Sequence, residues 1–461
     1  MSITLDNLDI QCNHNHSGTV CGSCNSNYSI AFGTLHCLPC TNNYLALILP
    51  FALTGVALVA VILMLKLSVA TGTINGLIFY ANVIQANRFI FFPLGETNIL
   101  TVFIAWLNLD LGIEMCFYDG MNAYVFTWLQ FLFPFYVWFL IALIIVVSRC
   151  SDKIARSFGN NPVGALATLV LLSYSKLLRT VIIALSVTSL EYPDGIHRPV
   201  WLYDGNVPYF QRADHIVLGV FAIMALLLLF LPYTLLLLCS QWLQAYSHWW
   251  ILSWLNKTKP FMDAYHAPYK KDTRYWPGLI LLVRCALFLI IALNVLDDGN
   301  VNLLTITSVT AGLAVLAWIH RGVYEKVHND ILEGIFILNL CIFAAATYHN
   351  HVIQKETTKK ESRRSQARLA YTFVGIAFAT FICIVLYHIY LSLHKISAWK
   401  KLPKPNAQNF YILRKFVQDK GSTANEGVWS DSKQENLSVL APTSTIVELR
   451  EPLLEKSIAS E

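Results

Sequence analysis

Charge is scarce in this chain of 461 residues. Asp, Glu, Lys and Arg together make up 13%, against 56% hydrophobic residues, and mean hydropathy is +0.51. A soluble domain carries about 25% charged residues, so a soluble fold is excluded. Catalytic signatures are missing too. There is no GxxxxGK[ST] phosphate loop, no HExxH and no GxSxG, and no polar stretch long enough for a catalytic domain. The chain is therefore expected not to be an enzyme and to need no cofactor or metal. A basic domain interleaved with aromatics is also lacking, which argues against a nucleic-acid partner. No cleavable leader pattern follows Met1. Either the first span serves as its own signal anchor, or a larger ectodomain precedes it.

What is present is a series of apolar runs of the length that crosses a ~30 Å hydrocarbon core. They are continuously apolar rather than alternating, so they read as helices. The clear runs are 44–65, 124–148, 163–186, 216–239, 276–294, 301–319, 331–348 and 369–391. Run 98–116 is a ninth, weakened by two carboxylates. Segment 73–92 carries Asn75, Asn82, Gln85 and Arg88 on one face and reads as an interfacial or re-entrant helix. The expected fold is an all-α membrane protein of about nine transmembrane helices. Residues 1–43 form a small disulfide-rich extracellular module, 44–393 the core and 394–461 a cytosolic tail without fixed structure.

Basic residues orient the chain. Arg149, Lys153 and Arg156, the group Lys257 to Arg274, and Arg321 with Lys326 fall on one side. Nine spans put them, and Lys395 to Lys404 of the tail, in the cytosol. The N-terminus is then outside, with the plasma membrane as the expected location. The basic stretch Lys355 to Arg368 falls on the outer side and disagrees with the rule.

The head contains Cys12, Cys21, Cys24, Cys37 and Cys40, with a CxxC…CxxC spacing. A zinc ribbon uses such spacing, with His14 and His16 as accessory ligands. A disulfide module uses it as well, and an outer compartment favours disulfides. Asn15 and Asn27 head glycosylation sequons. Five cysteines leave one over. Cys116, at the outer end of run 98–116, is expected to bridge the head to the first outer loop, with its partner left open.

Four ionisable residues lie at membrane depth: Asp110 and Glu114 in one run, Lys176 and Arg179 in another. Each pair is three or four apart and shares a helix face. At ~1.5 Å per residue Asp110 lies about 18 Å from the cytosolic side and Lys176 about 20 Å, so the pairs are level. Asn108, Ser173, Tyr174 and Ser175 add polar partners. Two readings follow: an ion-pair lock between helices, or a polar site on an ion, proton or ligand path. Arg284 and Glu333 read as snorkelling or structurally paired. Pro134 and Pro232 fall inside spans as kinks, and His266 packs a loop against the bundle floor.

Several segments carry a resemblance. They are Pro260 to Tyr269, Arg274 to Gly278, Leu171 to Arg179, Asn108 to Gly120 and Leu202 to Asn206. Together they resemble multi-pass proteins of marine invertebrates and protists that often bear cysteine-rich, ephrin-receptor-like repeats. That group is distantly similar to the fungal TRP-like and flavin-carrier family. The resemblance implies a channel- or transporter-like core beneath an extracellular cysteine module. The short ectodomain and the basic Lys355 to Arg368 loop depart from the pattern. Three functions are weighed: a TRP-like ion channel or transporter core, a cell-surface receptor or adhesion protein, and a lipid-handling scaffold. Expected partners are the bilayer, with cations or lipid ligands, and a second copy in a homo-oligomer.

Overall fold

A computed structural model describes residues 12, 15–31, 37–40, 45–65, 67–92, 99–110, 116, 119–150, 162–191, 197–246, 249–292, 299–353 and 359–401. Met1–Lys395 is one compact unit; Ile396–Glu461 is a second, described only to the end of the last helix. The helices are α1 Leu45–Leu65, α2 Asn75–Ala86, α3 Arg88–Phe91, α4 Ile99–Leu107, α5 Ala123–Cys150, α6 Pro162–Leu185, α7 Ala213–Ala225, α8 Leu231–Tyr246, α9 Trp249–His266, α10 Trp276–Ala292, α11 Gly299–Ile319, α12 Val327–Ile353 and α13 Lys359–Lys401.

Among the described residues, eight helical stretches are long and apolar enough to cross a membrane. One consists of α7 and α8 joined by the π turn Leu226–Phe230. Pro232 explains that turn. It has no N–H, and its ring crowds the carbonyl four residues back, which a wider turn relieves. Pro134 lies inside α5, which stays unbroken. The α6 window is 78% buried, against 22% for α7–α8 and for α13, so α6 is an interior helix and those two are peripheral. The outer faces are Leu49, Leu53 and Met64 on α1, Val315 and Trp318 on α11, and Ile382 and Leu386 on α13, all exposed. Such apolar surface belongs against lipid.

The ninth crossing is broken into pieces. Among the described residues, run 98–116 holds a nine-residue helix, α4, about 13 Å long at ~1.5 Å per residue, which ends at Leu107 where a continuous span was expected. Segment 73–92 is α2 and α3. Asn75 to Gln85 are all buried, so α2 is an interior helix and not one lying in the headgroups. Its start meets the α9–α10 connection, where Asn75 Nδ2 donates to the Tyr269 hydroxyl at 3.1 Å. Further on, Phe91 packs on Phe343 with centroids 4.5 Å apart. Phe103 of α4 packs on Phe378 and Phe381 at 4.9 and 5.3 Å. In the antiparallel α12–α13 pair, Phe343 stacks on Phe373 and His328 meets Tyr387. Phe103 is thus nearer the start of α12 than Phe91 is. Helices α2 and α3 rise along α12, and α4 starts again below the level of Phe91 and rises beside them. The chain then reaches Cys116, which is disulfide-bonded to Cys40 of the head. Among the described residues, the eight long apolar stretches together with this broken segment fit nine crossings.

The head has two small hairpins, β1 His16–Ser17 with β2 Ser23–Cys24 and β3 Tyr28–Ile30 with β4 Cys37–Pro39. Cys12 pairs with Cys21 and Cys24 with Cys37. With Cys40–Cys116, all six cysteines are used in disulfides, and the zinc arrangement is not what forms. His16 Nδ1 lies 3.0 Å from the Cys21 carbonyl; His14 lies outside the described residues. The head is tied to the core at Ile30 N–H, which donates to the Met121 carbonyl at 3.1 Å. A three-stranded meander, β5 Val187–Glu191, β6 His197–Trp201 and β7 Asp204–Pro208, follows α6. It is pinned by the buried Trp201, whose Nε1 donates to the Ile183 carbonyl at 2.8 Å. The head rests on it: Asn206 Nδ2 donates to Ser23 Oγ at 2.8 Å, and a Cβ on Gly22 would meet Asp204 Cα. Residues 192–196, between β5 and β6, lie outside the described residues. So does most of the tail, but α13 stays helical to Lys401, past the apolar run ending at 391.

Candidate functional site

The buried charges meet where the broken crossing passes α6. Helix α4 ends in a Schellman cap. The Asp110 N–H reaches the Ala105 carbonyl at 2.9 Å and the Leu109 N–H reaches Trp106 at 3.0 Å. The left-handed position of this cap belongs to glycine by preference, yet here it is Leu109, with φ 54°. A β-carbon in that conformation costs roughly 1–2 kcal/mol. The strained cap turns Asp110 out of the helix and toward α6.

Lys176 Nζ donates to Asp110 Oδ1 at 3.0 Å. Arg179 Nη1 stands 3.9 Å from Oδ2, with its side chain 37% exposed against 6% for Lys176. Gln85 Nε2 donates to the same Oδ2 at 3.4 Å. A second layer lies beneath. Asn82 Nδ2 donates to Asn108 Oδ1 at 2.8 Å, and Ser175 Oγ donates to Asn82 Oδ1 at 2.7 Å. Asn108 Nδ2 returns to the carbonyls of Ala81 and Ile104 at 3.0 and 2.8 Å. Every one of these groups except Arg179 is buried. Such a network is rigid when satisfied and costly when broken.

Arg179 leads outward. It acts on the Tyr203 phenol in the β6–β7 turn, which burial pushes up and Arg179 pulls back. Next to it, burial pushes the Asp204 carboxyl up, while bonds from Asn206 pull it down.

Of the four charges picked from the sequence, Asp110, Lys176 and Arg179 come together. Glu114 lies outside the described residues. Asp110 itself lies beyond the end of α4. Ser175 joins the site. Ser173 faces α5 instead, accepting from Trp138 Nε1 at 2.7 Å, and Tyr174 faces α8, bonded to Thr234 at 2.9 Å. Three neighbours in sequence point three ways because successive helical residues turn by 100°. Asn82 and Gln85 are members that the sequence reading set aside. Their signal was present, three apart on one face, and was read as an interfacial or re-entrant helix; burial of the whole segment removes the interfacial alternative. Arg284 and Glu333 are 1% and 5% exposed and form no ion pair among the described residues, so neither snorkels nor pairs directly. Asn15 and Asn27 sit in head turns at φ 66° and 70°, Asn27 exposed.

Compared with known proteins, the chain matches no family model, no curated sequence and no solved structure.

Proposed function

We propose that this multi-pass membrane protein is a channel or transporter core for ions or small charged solutes, with Asp110 as the group that the solute or a proton engages. One observation carries this reading. Non-helical backbone at membrane depth, Asn108 to Asp110, is held inside the bundle at the cost of a strained Leu109, and it presents a carboxylate to two cations. Irregular backbone is tolerated there only when buried in protein or lining a cavity. Interrupted helices of this kind form the substrate sites of secondary transporters. The TRP-like resemblance of the loop motifs points the same way. Lys176 and Arg179 compete for one carboxylate, so a cation or proton arriving at Asp110 frees Lys176 and lets Arg179 swing outward. In this reading the head and the β5–β7 meander face the outside, in the plasma membrane. The bilayer surrounds the core, and the chain has no catalytic role.

The test is ion flux in liposomes for wild type, Asp110→Asn and Asp110→Asn/Lys176→Met. Asp110→Asn strands a buried ammonium and should cost roughly 3–5 kcal/mol of stability. The double variant should recover that stability and still carry no flux. Wild-type flux in the double variant, or no flux in the wild type, leaves the pair as a lock and ends this reading.

A receptor is the second reading, favoured by one feature. The head is bonded covalently to the segment that follows Asp110, through Cys40–Cys116, and Ser29 Oγ donates to Asp119 at 3.2 Å. A ligand that shifts the head would pull on the same elbow. Ligand binding that changes the rate at which the Cys40–Cys116 disulfide is reduced, without any flux, would favour it.

A further inference from the structure

Glu333 stands six residues into α12, about 9 Å from its start at ~1.5 Å per residue, near the face opposite the head. It lines two cavities. One, about 320 Å³, runs between α11 and α12 past Trp318 and Leu338 and reaches the connecting turn at Gly322 and Asp330. The other, about 20 Å³, lies deeper and is bounded by Asn75, Tyr265, Tyr269, Arg284 and Glu333 among apolar residues. Glu333 is the carboxylate common to both.

The polar atoms around the small cavity are incompletely used. Glu333 Oε1 accepts from Trp276 Nε1 at 3.0 Å. Glu333 Oε2, Asn75 Oδ1, Arg284 Nε and Arg284 Nη1 are buried without a hydrogen-bond partner among the described residues. Arg284 lies over the Phe79 ring at 5.6 Å. The titratable groups facing it are Tyr174 from α6, Tyr233 from α8, Tyr269 from the α9–α10 connection and Glu333 from α12. Facing Glu333 are Tyr324, Asp330 and Arg284, with the Trp276 indole. The Tyr324 hydroxyl is bonded to that of Tyr269 at 3.1 Å.

Two acceptors and two donors therefore surround one small space. An anion would satisfy Arg284 and leave Glu333 and Asn75 opposed. A cation would do the reverse. Water does both, and the space exceeds the ~10–15 Å³ that one water requires. Asp330 is a different kind of carboxylate. Its Oδ1 accepts the backbone N–H groups of Val323 and Tyr324 at 2.7 and 3.0 Å, which ties it to the turn before α12.

We propose that Glu333 is a proton-binding site, loaded from water in the α11–α12 cavity and held against one internal water that bridges it to Arg284. A hydronium ion gives its proton to the carboxylate. An O–H bond forms on the carboxyl, one breaks on the hydronium, and a neutral water is left; release is the reverse, with no change in electron count. The bridging water keeps Arg284 close enough to favour the ionised form and far enough for the proton to compete. The inference does not rest on the transport reading, because its readout is the protonation of one carboxyl.

The experiment is infrared difference spectroscopy on the full chain in nanodiscs as the buffer pH is stepped, in H₂O and D₂O. A protonated-carboxyl C=O band that titrates reversibly and shifts in D₂O is expected in the wild type. It should persist in Asp110→Asn and Asp330→Asn and vanish in Glu333→Gln. Arg284→Gln, which removes the facing cation, should move its midpoint to higher pH. Should Glu333→Gln not fold, Glu333→Asp keeps the test, since the band must then change frequency. A wild type with no titrating band, or one that survives Glu333→Gln or is unaltered in Glu333→Asp, overturns the proposal. So does a midpoint unmoved by Arg284→Gln.

Discussion

Burying an imidazole opposes its charged form. His266 closes α9, is 7% exposed, and meets Ser240 Oγ through Nε2 at 3.1 Å. Burial pulls its pKa below the ordinary 6.5; a bond to the Arg274 backbone opposes this, the Arg274 charge adds to it, and Asp263 opposes it. Between the two values the unfolded chain binds a proton that the folded chain excludes. The contribution to stability is whole above about pH 6.5 and is lost as pH falls toward the lowered value. Thermal unfolding in detergent should show a midpoint that drops on acidification below about pH 6.5. His266→Gln should flatten that drop, and a drop unchanged in the variant would assign it to other groups. At this scale the sequence told much about charge and little about direction. Asp110 and Lys176 stood out because ionisable groups in apolar runs are expensive. Nothing in the letters around Leu109 announced a left-handed residue, since glycine is the usual sign. The helix was therefore extended through Asp110, whereas α4 ends at Leu107.

Elements that pack closely in a membrane meet through small residues. Gly278 of α10 faces α8 so closely that a Cβ would overlap the backbone of Leu237 and Leu238. Backbone cannot rotate aside as a side chain does. Gly278→Ala should therefore force α8 and α10 apart, at roughly 1–3 kcal/mol or more. Gly312 of α11 has nothing within 4 Å of such a Cβ, so Gly312→Ala should hold or raise the midpoint through better helix propensity. Thermal unfolding of the two variants side by side checks this, and equal effects would contradict the packing seen at α8. The eight continuous crossings were legible because length and hydropathy alone define them. The broken one was not. Its polar residues are turned inward: Asn82, Gln85 and Asn108 bond one another, Asp110 and Ser175 across α2, α4 and α6, and Asn75 bonds Tyr269. A hydropathy reading cannot distinguish a polar face turned inward from one turned to headgroups.

At the scale of the whole molecule, the broken crossing decides parity. With α2 to α4 counted, nine crossings put the head and the end of α12 on one face and the α11–α12 turn on the other. Without it, every element after α4 would be inverted. The Cys40–Cys116 disulfide and the Asn75–Tyr269 bond tie the ends of the segment to opposite faces. The basic stretch up to Arg368 then lies on the head side, against the positive-inside bias. That bias is statistical, and Gln366 already bonds into the bundle through Thr347 at 3.1 Å, so packing fixes this end independently of charge. Val352 and Lys326 are exposed on either side of α12. In intact cells, Val352→Cys should react with a membrane-impermeant maleimide. Lys326→Cys should react only after permeabilisation, each measured above the wild-type background of native thiols. The reverse pattern would turn the molecule over and place the head inside. Equal labelling of both would mean that α12 does not cross, and parity would then have to be counted again from α4 onward.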